Sequence, residues 1–203
     1  VYKNSDLYIL LSESFISEFE KISRLKNLKK IRLISNPITI ANEDFIYNFE
    51  RKEKQIIFVG RLEYTQKRIE RILNVWGKIQ SEYKDWELTI VGDGPDILRL
   101  KNITENKNIQ SVKFVGFQNP KSFYEKASIL LLTSDYEGFP LTITESMNFG
   151  VIPIVYGSYS AAYDIISDNY SGMISKPNNG FDEEDFTNKL KMLLSSVTKR
   201  KDF

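Results

Sequence analysis

Apolar residues in this chain come in short unbroken runs rather than in strict alternation. The runs are Leu7 to Leu11, Ile31 to Ile34, Ile56 to Val59, Leu88 to Val91, Val112 to Val115, Ile129 to Leu132 and Ile152 to Val155. Runs of this length, rich in Ile, Val, Leu and Phe, predict strands covered on both faces. Between most of them the period changes to that of a helix. Ile69, Ile72, Leu73, Trp76 and Ile79 fall at i, i+3, i+4, i+7 and i+10 and form one apolar stripe. From Asp182 to Val197 a second stripe runs through Phe186, Leu190, Leu193, Leu194 and Val197, with acidic residues crowding the first turn as the helix dipole favours. Parallel strand pairs need crossover connections, so buried strands alternating with helices predict an α/β fold with a doubly wound parallel sheet.

Three stretches depart from this pattern. Residues 1 to 40 carry a strand, a helix from about Glu13, a Lys-rich piece (Lys26, Lys29, Lys30) and a second short strand ending at Asn36 and Pro37, and read as a connector. Ala41 to Lys54 is polar and acidic without clean periodicity, and is expected to be a loop that packs Phe45, Tyr47 and Phe49 where it can. The tail from Thr198 to Phe203, with Lys199, Arg200 and Lys201, is expected to be a frayed, solvated end. The sequence opens at Val1, directly into apolar residues and without an initiator Met, so the numbering is expected to begin inside a longer gene product.

Composition narrows the chemistry. The 203 residues are 41% hydrophobic and 27% charged, an ordinary globular balance that argues against disorder. A net charge of +1 lacks the basic excess of a chain built to neutralise a nucleic-acid backbone, so nucleic acid is not an expected partner. With neither Cys nor His, disulfides, thiolate nucleophiles, imidazole bases and the common zinc sites are all excluded. Chemistry must then run on carboxylates, cations, hydroxyls or backbone dipoles. No apolar run approaches the roughly 20 residues that cross a bilayer, and the expectation is a cytoplasmic protein.

In open α/β sheets ligands bind beyond the carboxyl ends of the strands, which makes the residues after each run the ones to inspect. After Val59 come Gly60 and Arg61, with Lys67 just before the helix at Ile69. Two cations flanking a helix start suit a diphosphate bound without metal; the plainer alternative is a surface Arg and Lys paired with Glu63 or Glu70. After Val91 the turn Gly92, Asp93, Gly94, Pro95 does not spell a dinucleotide fingerprint, and its Asp93 and Asp96 are read as turn and helix-capping residues rather than metal ligands. After Leu132 the segment from Ser134 to Glu145 places Glu137 on a loop, Pro140 in the first turn of a helix, and Glu145 further along it, before Gly150. The N–H groups of Leu141 and Thr142 point out of that helix start, toward an anion. Two carboxylates beside an anion site make electrostatic sense if they receive hydroxyls, as from a sugar.

These residues carry a specific resemblance. "VGRL" at Val59 to Leu62 with Lys67, the "VGDGP" turn, "VKFVGF" at Val112 to Phe117, "EGFPLTITE" from Glu137 to Glu145 and the continuing "ESMNFGVIPIV" resemble, in order and approximate spacing, the nucleotide-sugar-binding half of a retaining GT-B glycosyltransferase of family 4, with the EX7E signature. The resemblance implies a donor-binding domain over 41–203, with 1–40 similar to the end of the preceding acceptor domain and the interdomain linker. It implies that Arg61 and Lys67 hold the donor diphosphate in place of a metal ion, with no cofactor. Glu137 would contact the donor sugar and Glu145 the ribose hydroxyls. The segment Gly138, Phe139, Pro140, Leu141 and Thr142 would bind donor, the backbone from Phe139 on cradling the distal phosphate, and Phe117 and Gln118 would lie near the base.

The family often has Gly where Arg68 follows Lys67, and often Glu where this chain has Asp164 before Ile165 and Ile166. A His invoked in the family's acceptor domain has no counterpart here. By analogy the resemblance implies transfer from a UDP- or GDP-sugar to a glycan or lipid-linked acceptor in bacterial surface polysaccharide synthesis. The acceptor would bind through the N-terminal domain, with peripheral membrane contact falling mostly on that half. A non-catalytic nucleotide-binding module and a nucleotide-sugar epimerase remain as other readings of the same residues. A phosphorylase would need a Lys holding pyridoxal phosphate in a much longer chain, and a dinucleotide oxidoreductase lacks its glycine fingerprint.

Overall fold

The computed structural model describes residues 2–40 and 47–203. Each apolar run becomes a strand. β1 (Tyr8–Leu10) and β2 (Ile31–Leu33) pair with each other in parallel, while β3 (Gln55–Val59), β4 (Glu87–Val91), β5 (Val112–Gly116), β6 (Ile129–Leu132), β7 (Ile152–Tyr156) and β8 (Met173–Ser175) form a six-stranded sheet in the order β5-β4-β3-β6-β7-β8. Every pairing in it is parallel. Helices α2 (Ile69–Ile79), α3 (Ile97–Asn106), α4 (Lys121–Lys126), α5 (Leu141–Asn148) and α6 (Ala161–Ile165) supply the crossovers, and α7 (Glu183–Ser195) packs back on the sheet. The predicted doubly wound α/β fold is therefore the observed one.

The unbroken apolar runs are explained by cover on both faces. In β3, Ile56 and Phe58 join a core with Leu73, Trp76, Phe186 and Leu190, whereas Ile57 and Val59 join a second core with Tyr124, Phe149 and Val151. α7 begins at the N-cap Asp182, whose carboxylate accepts the N–H of Asp185 at 2.9 Å. Pro153 sits inside β7, normally an unfavourable place for a residue without an N–H. It is tolerated because pairing with the three-residue β8 starts only at Ile154.

The first forty residues hold the expected strand, helix and second strand. β1, α1 (Ser14–Ser23) and β2 make a small βαβ unit, stapled by the aromatic rings of Tyr2, Tyr8 and Phe19 at centroid distances of 4.8 to 5.6 Å. Part of the expected loop at 41–54, including Phe45, lies outside the described residues. Tyr47 lies over Gly150, and Phe49 opens a single 3-10 turn, Phe49–Arg51.

The tail differs from expectation. It forms α8 (Val197–Lys201), and Arg200 is buried, donating to the carbonyls of Leu193, Leu194 and Ser196 and lying 5.0 Å from the Trp86 ring. Those carbonyls belong to the C-terminal end of α7, which lacks intrahelical donors and attracts a cation, so the Arg does not fray into solvent. Among the described residues no helix is long and apolar enough to cross a membrane.

Candidate active site

β3 and β6 are neighbours, and the chain leaves them toward opposite edges of the sheet, β4 and β5 on one side and β7 and β8 on the other. Loops beyond such a pair diverge and leave a crevice at the carboxyl ends. The β3 and β6 loops are the two that sequence reasoning singled out, at Arg61 with Lys67 and at Glu137.

The β3 loop rests on the β4 turn. Gly60 N–H donates to Val91 O at 3.0 Å and Leu62 N–H to Asp93 O at 2.9 Å. A Cβ on Gly92 would run into the carbonyl of Gly60, and one on Gly94 into the backbone of Leu62. The glycines of "VGDGP" thus permit backbone contact between two loops. Asp96 does not cap its own helix with its side chain; its carboxylate accepts the N–H of Tyr64 at 2.7 Å, tying the same two loops together.

The structure brings Lys67 and Glu137 together: Lys67 Nζ lies 2.5 Å from Glu137 Oε1, and both side chains are largely buried. Gln66 Nε2 donates to Glu137 Oε2 at 3.2 Å and to Tyr136 O at 3.1 Å. Lys67 therefore pairs with neither Glu63 nor Glu70. Arg61 does approach Glu63, at 3.9 Å, but its side chain is 69% exposed and stays available at the rim. Behind these residues, Asp135 bridges Arg71 at 2.6 Å and Arg68 at 3.2 Å, and Thr133 Oγ1 donates to Arg68 O at 3.0 Å. Sequence reasoning missed this clasp between the start of α2 and the β6 loop; Asp135 preceding the EX7E segment and the Arg pair at i, i+3 were the signals available.

Arg68 stands in the left-handed region at φ 53, in the position where Gly is common in the family it resembles. A side chain there is strained. Its guanidinium is compensated by Glu70 at 3.3 Å, by Asp135 and by the Tyr64 ring at 4.3 Å.

Glu145 sits apart from Glu137, in α5 and 5% exposed. Its Oε2 accepts the Tyr124 hydroxyl at 3.1 Å and its Oε1 the hydroxyl of Thr39. Burial, then the Glu145 carboxylate, pushes the Tyr124 phenol far up. Neither Tyr124 nor Thr39 was singled out in the sequence. Pro140 is the residue preceding α5 rather than part of its first turn, and Leu141 and Thr142 open the helix with N–H groups that have no intrahelical acceptor. Gly138 has open space where a Cβ would stand. Phe117, 87% exposed, and Gln118 follow edge strand β5, three strands from β6, which at the spacing of strands is about 14 Å away.

Among the described residues, three buried hydroxyls beyond β6 and β7 have no hydrogen-bond partner: those of Ser134, Tyr159 and Ser160. Such groups are uncommon and call for a ligand or water. The Tyr159 phenol is raised by burial and then by the Glu137 carboxylate, which keeps it a neutral donor.

A cleft of about 650 Å³ separates this crevice from the first βαβ unit. It is lined by Ser12, Glu13 and Leu33 on one side and by Phe139, Thr144 and Asp164 on the other. Asp164 bonds across it, accepting the Ser12 hydroxyl and the Ser14 N–H at 3.0 Å.

Comparison with known proteins matches this architecture. The family model described as glycosyl transferases group 1 matches residues 39–203. The chain is 32% identical over 168 residues to an uncharacterized glycosyltransferase of Haemophilus influenzae, covering 81% of this chain and 47% of that protein. It is 31% identical over 195 residues to a Campylobacter jejuni alpha-1,4-N-acetyl-D-galactosaminyltransferase whose name gives a diNAcBac-PP-undecaprenol-linked acceptor, covering 93% and 52%. The chain spans about half the length of these relatives. Among solved structures, S. aureus TarM in complex with UDP superposes with TM-score 0.84 at 21% identity over 99% of this chain and 39% of that one. The lipopolysaccharide galactosyltransferase WaaB gives 0.76 at 23% identity over 98% and 60%. The chain belongs to the glycosyl transferases group 1 family.

Proposed function

We propose that this chain is the donor-binding part of a retaining family 4 glycosyltransferase, which moves a sugar from a UDP- or GDP-sugar to a glycan or lipid-linked acceptor in bacterial surface polysaccharide synthesis. The observation that carries the reading is the pairing of Lys67 with Glu137 at the switch point between β3 and β6, with a solvent-facing Arg61 on the same β3 loop as Lys67. Cleavage of a sugar nucleotide leaves negative charge on the diphosphate and develops positive charge on the sugar ring. Arg61, Lys67 and the α5 N–H groups would stabilise the first and Glu137 the second, without a metal ion. The partnerless hydroxyls of Ser134, Tyr159 and Ser160 would serve a polyhydroxylic substrate. Glu145, already a double acceptor from hydroxyls, would exchange a protein hydroxyl for those of the ribose. The base would lie toward Phe117 and Gln118. The acceptor would bind through the domain preceding residue 40 in the longer protein, at the cytoplasmic face of the membrane, as relatives with lipid-linked and lipopolysaccharide acceptors suggest.

Calorimetric titration with UDP, GDP and their sugar conjugates tests the donor site. One nucleotide is expected to bind without magnesium, about tenfold or more weaker in Arg61→Ala, the loss of a charge-assisted hydrogen bond. No binding by the folded full-length protein, or binding that requires magnesium, would defeat the reading. Proton NMR of the first-formed glycoside reports the anomeric configuration, and inversion would remove the retaining assignment.

A further inference from the structure

Residues 35–40 follow β2 and lead out of the first βαβ unit. Ile38 lines the cleft beside Thr144 and Met147 of α5, so this connecting stretch runs along the helix that carries Glu145. Among the described residues the stretch makes a single hydrogen bond, from the Thr39 hydroxyl to Glu145 Oε1. No backbone N–H or carbonyl of 35–40 is paired within the described residues.

Glu145 is 5% exposed, so a ligand hydroxyl reaches its carboxylate only if a residue bonded to it gives way. Two hydroxyls bond it among the described residues, and their settings differ. Tyr124 is fully buried, its ring packs on Phe149 at a centroid distance of 5.8 Å in the second core, and its hydroxyl donates to Oε2 at 3.1 Å. Its phenol, pushed far up by burial and then by the Glu145 carboxylate, stays a neutral donor. Thr39 is a short side chain on backbone that no strand or helix holds. Moving it breaks one hydrogen bond, whereas moving Tyr124 would open the core. Oε1 is therefore the exchangeable side of the carboxylate and Oε2 the fixed one.

We propose that Thr39 is a specificity-determining residue of the donor site: its hydroxyl stands in for a ribose hydroxyl on Glu145 Oε1, and a nucleotide gains there only what its own hydroxyl adds over that of Thr39. A buried carboxylate oxygen left bare is costly, and that cost is what lets a site reject a ligand lacking a hydroxyl. Thr39 removes it. A ligand without ribose hydroxyls leaves the Thr39 bond in place, and the carboxylate stays satisfied. Discrimination between ribose and its deoxy analogues is thus narrower than in a site whose carboxylate has no protein hydroxyl to fall back on. Ribonucleotide affinity is lower by the strength of the bond exchanged. The assignment rests on the ribose-binding reading of Glu145 proposed above.

Calorimetric titration of the full-length protein with UDP, GDP and their 2′,3′-dideoxy forms tests it. Thr39→Val keeps the shape of the side chain and removes its donor. The variant is expected to bind the ribonucleotide about fivefold more tightly than the unaltered protein does, the net worth of one hydrogen bond, and the dideoxy form no more tightly. Thr39→Ser, which keeps the hydroxyl, is expected to return the affinity to that of the unaltered protein. An unaltered thermal transition shows that the variants fold. Equal or weaker ribonucleotide binding by Thr39→Val would overturn the proposal and make Thr39 a fixed anchor of the connecting stretch. Equal tightening of the dideoxy form would overturn it too, placing the effect in access to the cleft rather than in the exchanged hydroxyl. Neither result touches the donor site itself, which falls, and the proposal with it, only if neither nucleotide binds to the unaltered protein or to the variants. Undiminished ribonucleotide affinity in Glu145→Gln would remove the ribose reading together with the role of Thr39, leaving the diphosphate contacts of the donor site standing.

Discussion

Arg68 shows how much a single position can carry that its neighbours in sequence do not reveal. The resemblance marks it as a departure from Gly, and the structure supplies the reason Gly suits it, a left-handed backbone at φ 53. Replacing Arg68 by Ala or by Gly removes the same contacts to Glu70, Asp135 and Tyr64, so the difference between the variants isolates the backbone. Arg68→Ala is expected to be less stable than Arg68→Gly by about 1 kcal/mol, measured by chemical denaturation; equal stability would show that the loop relaxes without strain. Arg61, Lys67 and Glu137 stood out in the sequence because each is a charged residue on a loop that follows a strand end. That Lys67 and Glu137 touch was not legible, since 70 residues separate them. The same holds for Thr39 and Glu145, 106 residues apart.

At the level of elements, the long apolar runs and the α2 stripe were readable because cover on both faces and a single buried helix face leave clear periods. Short or tertiary-dependent pieces were not. β8 has three residues, and α8 exists because Arg200 finds the end of α7. The "VGDGP" turn, weak as a motif, is a spacer between loops. Gly92→Ala would press a Cβ against the Gly60 carbonyl at a φ of 142, forcing backbone to move. It is expected to destabilise the chain by about 3 kcal/mol or more and to lower nucleotide affinity with it, because Arg61 follows Gly60 directly. Thermal unfolding and the calorimetric titration read both effects; a stable variant with full affinity would show the two loops to be independent.

Across the whole molecule, the carboxyl ends of both sheets face one cleft, and Asp164 joins them. Burial pushes the Asp164 carboxyl up, but hydrogen bonds from Ser12 and Ser14 prevail and hold it below the ordinary carboxylate range. A pKa lower in the folded than in the unfolded chain means that the contribution is complete above about pH 4 and lost as pH falls through the lowered value. Thermal midpoints measured across the acid range are thus expected to fall more steeply for the unmodified chain than for Asp164→Asn. Parallel slopes would remove Asp164 from the contact between the βαβ unit and α6. The Asp at this position, noted in the sequence as a departure from Glu, has a partner that only the fold could name.

Local chemistry was enough to determine seven of the eight strands, the two longest amphipathic helices, the α/β class and the identity of the charged residues after β3 and β6, because burial imposes a period and the carboxyl end of a buried strand delivers the next residues to the surface. Only the tertiary structure decided which charges meet, that Asp135 clasps Arg68 and Arg71, that Glu145 is held by Tyr124 and Thr39, and that the two strands of the first forty residues pair with each other. Contacts between residues tens of positions apart depend on strand order and crossover, which leave no local trace in the chain.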